Sequence, residues 1–115
     1  MKRPHLYKLI GKIAVPMRDV EEWALAFGNP RIVDKTDVGP LHVSTVFLGI
    51  DHRFVGDGDP LLFETMIFNG QDDTYCERTS TWGQAEKAHR DAVEIAQKQL
   101  AEANANLKAS PSSRL

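Results

Sequence analysis

The spacing of hydrophobic positions along this chain changes several times, and each change marks an element. Tyr7, Leu9, Ile13 and Val15 alternate with Lys8 and Lys12, the two-residue period of a half-buried strand with Gly11 as a bulge. Leu6, Leu9, Ile10 and Ile13 fit helical spacing as well. Pro16 ends the segment. Asp19, with Glu22 three residues on, makes a capping box, and Val20, Trp23, Ala24 and Phe27 then recur at helical spacing. A helix of about two turns is expected there, stopped by Gly28, Asn29 and Pro30. A helix that short is marginal alone, so Trp23 and Phe27 must bury against something else.

Residues 31–34 read as a brief edge strand and 37–40 as a turn. Residues 41–49 and 61–68 are rich in β-branched and aromatic side chains, with too few polar positions for an exposed face, and predict two central strands. The stretch between them, 50–60, is longer than a hairpin loop. A turn at 69–73 and a returning third strand at 74–79 follow. Thr81 and Gln84 form a second capping box, and a long helix runs on to about Leu107. Ala85, His89, Ala96 and Ala103 lie near the middle of one helix face, flanked by Ala92, Val93, Leu100 and Leu107, while Lys87, Glu94 and Lys98 lie opposite. Small residues permit close approach, so the half beyond Ala96 is expected to protrude and pair with a second protomer. The expected architecture is one α+β domain over residues 1–108, an antiparallel sheet of three to four strands packed against one short and one long helix, followed by a disordered tail at 109–115.

At 115 residues, with 42% hydrophobic and 26% charged side chains, the chain has material for one real core and no room for a second domain. The net charge of −2 argues against a dedicated nucleic-acid binder. Its distribution is uneven: residues 1–18 carry five bases and no acid, whereas 19–80 carry twelve acids against four bases. Such asymmetry can steer self-association or an encounter with a basic partner. A single cysteine, Cys76, allows neither an internal disulfide nor a multi-cysteine zinc site, which points to a reducing cytoplasm. Lys8 and Lys12 interrupt any signal-peptide core, and no apolar run approaches the roughly 18 residues of a membrane span.

The densest polar cluster is the loop bearing Asp51, His52, Arg53, Asp57 and Asp59, where binding groups tend to sit on rigid strands. A calcium loop is excluded, because the glutamate required eleven residues after Asp57 is Phe68. Four histidines without a zinc motif, and no phosphate loop, leave no cofactor expected. Glu64 interrupts an apolar strand and shares a two-residue face with Leu62, Met66 and Phe68. If that face meets the long helix, His89 is its partner; Arg78 on the next strand is the other candidate. A Glu64–His89 pair, with His52, could run acid–base chemistry in a small hydrolase or nucleotide-handling enzyme, whereas a hydrogen-bonded core pair is the commoner role. His42 and Ser44 share a strand face but lack a nucleophile elbow and an evident third group, and Cys76 reads as a small buried hydrophobe. Trp23 or Trp82 stacking beside Arg53 or Arg78 could hold a nucleotide.

Three stretches, HVSTVFLGIDHRF at 42–54, PLLFETMIF at 60–68 and RTSTWGQAEKAH at 78–89, resemble a group of small, functionally uncharacterised bacteriophage and prophage proteins, over about residues 12–90. The resemblance transfers no site residue. It implies a phage accessory protein made in the bacterial cytoplasm, binding a host protein or small ligand, with counter-defence as one such role. The expectation is therefore a non-enzymatic, self-associating binding protein, its candidate binding residues being Asp51, His52, Arg53, Glu64, Arg78, Trp82 and His89.

Overall fold

The structure, a computed structural model, describes residues 6–26, 31–51, 53, 58–70 and 72–109. Its elements in chain order are β1 (Leu6–Ile10), β2 (Ile13–Met17), α1 (Val20–Ala26), β3 (Ile32–Val38), β4 (Leu41–Phe47), β5 (Phe63–Asn69), β6 (Asp72–Thr79) and α2 (Trp82–Ala109). The fold is α+β, as expected. Strands β3-β4-β5-β6 form one antiparallel meander and β1-β2 a separate hairpin. No helix among the described residues is long and apolar enough to cross a membrane.

Alternation along the two inner strands decides which face is covered. Leu41, Val43, Thr45 and Phe47 of β4 are buried, as are Phe63, Thr65 and Ile67 of β5. The register pairs Val43 with Ile67, Thr45 with Thr65 and Phe47 with Phe63, so one face presents three matched rows. The Phe47 and Phe63 rings lie 5.2 Å apart. Helix α2 lies across this face and buries Ala85, Ala88, Ala92 and Ala96, whose methyl groups bring the helix backbone close to the sheet. The other face stays half open: His42 is exposed, while Ser44, Val46, Glu64, Met66 and Phe68 are partly buried. The inner strands are thus central in order but covered on one side only.

Between two apolar clusters runs a polar seam. One cluster gathers Tyr7, Phe47, Leu62, Phe63 and Ala85; the other Leu41, Val43, Ile67, Ala92 and Ala96. Separating them, His89 Nδ1 lies 2.8 Å from Thr45 Oγ1, which is itself 2.8 Å from Thr65 Oγ1. His89 Nε2 lies 2.9 Å from Thr36 Oγ1 on β3, with Asp34 Oδ2 at 3.7 Å. Three strands and the helix are joined through one imidazole. Buried hydroxyls and ring nitrogens need such partners, because an unmade bond costs the full desolvation of the group.

The N-terminal third departs from expectation. The alternating segment is two strands, since Gly11 adopts a φ of 63° and turns the chain at Gly11-Lys12 where a bulge is expected. The hairpin docks on the sheet through Gly49, whose carbonyl accepts from the Tyr7 N–H at 2.8 Å and from Trp23 Nε1 at 3.2 Å. Asp19 Oδ1 caps α1 by accepting from the Glu21 and Glu22 N–H groups, but Glu22 itself pairs with Lys8. Of the expected α1 stripe, Trp23 is half-buried, Val20 and Ala24 are exposed, and Phe27 lies outside the described residues. Strand β3 is longer than the brief strand expected at 31–34.

The second capping box forms as expected: Gln84 Oε1 accepts from Ser80 N and Thr81 N, and Thr81 Oγ1 accepts from Gln84 N. At 28 residues α2 spans about 42 Å, well past the roughly 23 Å of a seven-residue strand. Leu100 packs against the second cluster and lies against Gly39 in the β3–β4 turn. Gly39 has a φ of 59°, which strains most other residues, and a Cβ there would sit 2.9 Å from Leu100 Cδ2, so a larger residue would also make the leucine tip shift. Residues 101–107 are all exposed.

The seam yields a stability prediction. His89→Ala and Thr45→Val each cost about 1–3 kcal/mol, by leaving a buried polar partner unbonded. The double variant costs less than the sum, with a coupling of about 0.5–3 kcal/mol, read from urea unfolding of all four proteins. Simple additivity would show that the seam is not one network.

Candidate functional site

The expected site residues fall in four separate places. Asp51 is fully buried, and its Oδ1 accepts from Arg53 N at 2.8 Å and Leu61 N at 2.9 Å, tying together the two ends of the long loop. Arg53 folds back on the same loop, its Nε donating to the Asp59 carbonyl at 3.0 Å. His52 lies outside the described residues. Asp51 and Arg53 therefore shape the loop from within.

Glu64 and His89 are not partners, which corrects the proposed acid–base pair. Glu64 shares its strand face with Met66 and Phe68, and that face points away from the helix; Leu62 precedes the strand and is buried in the cluster with Tyr7, Phe47, Phe63 and Ala85. Across the β5–β6 ladder Glu64 Oε2 instead accepts from Arg78 Nε at 3.0 Å. His89 is on the opposite side of the sheet, held by the threonines. Cys76 is exposed on edge strand β6, not buried as expected. Partial desolvation and the neighbouring Glu64 carboxylate push its thiol pKa up, which disfavours the nucleophilic thiolate.

On the same open face, His42 Nδ1 lies 2.7 Å from Asp37 Oδ1, a pair created by the Asp37↔His42 register of β3 and β4. Lys35 stands opposite Ser44 there. The third group that the His42–Ser44 pair lacked on paper is thus present, but the His42 and Asp37 side chains are 56% and 77% exposed, and Ser44 makes no hydrogen bond to His42 among the described residues. A nucleophile needs its base within reach, and this one is solvated. Among the described residues no group of three or more His, Cys, Asp or Glu side chains could hold a metal ion.

Trp82 lies in a concave place. It opens α2 and forms one wall of an apolar cleft of about 270 Å³ between the β1–β2 hairpin, the end of the long loop and the start of the helix. Tyr7, Ala14, Leu62 and Phe63 line it, with Pro60, Ser80 and Thr81 at its edges. The Phe63 and Trp82 rings meet edge to face at 6.2 Å. Lys12, from the hairpin turn, places its Nζ 5.7 Å from the Trp82 ring centre. The indole N–H of Trp82 is buried without a hydrogen-bond partner. The Asp51 tie at Leu61, and the Leu62 bonds to Leu48 N and Thr79 O, fix Pro60 and Leu62 as one rim.

Of the six expected residues that are described, Trp82 alone lines this cleft, with Asp51 bracing its rim at a distance. Tyr7 and Lys12 were missed as site residues because the hairpin was read as one strand; the signal available was Gly11-Lys12 between two alternating runs, which marks a turn as readily as a bulge.

At the far end of the sheet Tyr75 donates to Glu77 Oε2 at 2.5 Å; this bond, desolvation and the Glu77 charge push the Tyr75 pKa from 10.0 up to about 12. A raised phenol pKa stabilises the fold fully below pH 10.0, and that contribution disappears as pH rises toward about 12. Tyrosinate absorbance should therefore show one phenol titrating near 12, absent in Tyr75→Phe, and the variant should lose less stability across that window than the parent. Comparison of the chain with protein-family models, with curated proteins and with solved structures finds no significant match in any of the three.

Proposed function

We propose that this chain is a non-enzymatic binding protein whose binding site is the Trp82 cleft. One observation carries this: the cleft is a concave, largely apolar surface, walled by aromatic rings from three separate parts of the chain and rimmed by a few polar groups, which is the general make-up of ligand sites. The groups considered for acid–base chemistry support binding over turnover, because Glu64 and His89 are committed to different partners on opposite faces of the sheet. The phage and prophage resemblance gives the setting of the proposal: an accessory protein of the bacterial cytoplasm whose cleft engages a small ligand or a host factor.

Self-association is the second part of the proposal, supported by the exposed stretch of α2 at residues 101–107. Leu100, Ala103 and Leu107 continue the buried alanine stripe at spacings of three and four beyond the sheet, and Leu107 is 66% exposed. A second copy of the same helix end is the occupant that matches this seam.

Two measurements test these proposals. In a thermal-shift screen of small molecules against the full chain, compounds that raise Tm should lose their effect in Ile13→Glu, a change at a 70% exposed position on the cleft lip. Hits indifferent to that change, or none at all, would refute the cleft. Light scattering after size exclusion at tens of micromolar should give a dimer mass for the parent and a monomer mass for Leu107→Glu; a monomeric parent refutes self-association.

A further inference from the structure

We infer that the Trp82 cleft is built for a compact aromatic acid, its ring against Trp82 over the floor formed by Tyr7 and Phe63 and its anionic group on Lys12. This rests on the cleft being a binding site and adds what it selects. Size comes first. At about 270 Å³ the cleft lies just under the usual range for drug-sized ligands and suits one or two fused rings. Shape and polarity come next, because Trp82, Ala14 and Ile13 present apolar surface over a buried floor of Tyr7, Leu62 and Phe63, which favours a flat apolar body over a sugar or a flexible polar chain.

Charge fixes the class. The described residues lining the cleft include one cation, Lys12, and no carboxylate, in a chain whose residues 19–80 are strongly acidic. Lys8 on the preceding strand is paired with Glu22, whereas Lys12 makes no ion pair among the described residues and hangs over the indole from an exposed turn. An ammonium at the mouth of an apolar cleft attracts a ligand carrying its negative charge outside and its ring inside. The Ser80 and Thr81 hydroxyls at the edge can donate to the same group, and Thr81 Oγ1 spends only its acceptor capacity on Gln84 N. A neutral ring would gain the walls and lose the rim.

The matched probes are indole-3-acetate and its neutral isostere indole-3-acetamide, titrated by calorimetry into the full chain and into Lys12→Gln, an exposed turn position outside the core. The acid should bind the parent about three- to five-fold more tightly than the amide, the range expected of one solvent-facing ion pair. Lys12→Gln should bring the acid down to the affinity of the amide and leave the amide unchanged, and added salt should weaken only the acid. In ¹⁵N spectra the Trp82 indole signal should move and the Trp23 signal should not. Equal binding of acid and amide, with Trp82 shifting for both, overturns the anion selectivity while the cleft survives as a binding site. If neither probe moves the Trp82 signal, the inference and the binding site fall together.

Discussion

The hydrogen-bonded run from Thr36 through His89 to Thr45 and Thr65 is the constraint on which the rest of the packing depends. An alanine face offers little to choose between one helix position and the next, because each step of three or four residues presents another methyl group to the same sheet. An imidazole with both nitrogens engaged has no such equivalent position. It ties β3, β4, β5 and α2 at one point, and the two apolar clusters lie on either side of it. Hydrophobic burial supplies the bulk of the cohesion here, and the directional bonds choose the register.

The same one-sided burial explains where the charges went. The outermost strands carry Asp34, Lys35 and Asp37 on β3 and Asp72, Asp73, Glu77 and Arg78 on β6. Charged side chains along an uncovered strand keep it from pairing with another chain, so the acidity of the middle of the sequence protects the rims of the sheet. The basic opening is partly consumed within the fold, Lys8 on Glu22 and Lys12 above Trp82.

Legibility in the sequence followed the strength of the local signal. Both inner strands, the Thr81–Gln84 cap and the alanine face of the long helix were readable, because each rests on a period or a motif sustained over many residues. For Glu64 two partners were readable, His89 if its face met the helix and Arg78 on the next strand, and the structure has the second; the face shared with Met66 and Phe68 holds, whereas Leu62 precedes β5, and alternation holds only inside a strand. The α1 stripe was overread because seven residues supply too few turns for periodicity to discriminate. The cleft was hardest to foresee: Lys12, Pro60 and Trp82 are far apart in sequence, and only the docking of the hairpin on Gly49 brings them together.

Gly39 beneath Leu100 has a mechanical consequence. The β3–β4 turn is the fulcrum of the long helix: on one side the seam and the alanine methyls clamp it, and on the other about nine residues, roughly 13 Å, extend as a cantilever. With no side chain at the pivot the rod lies flat, and any small tilt there is magnified toward Leu107. The direction in which the far end points thus depends in part on a residue whose contribution is the absence of a side chain.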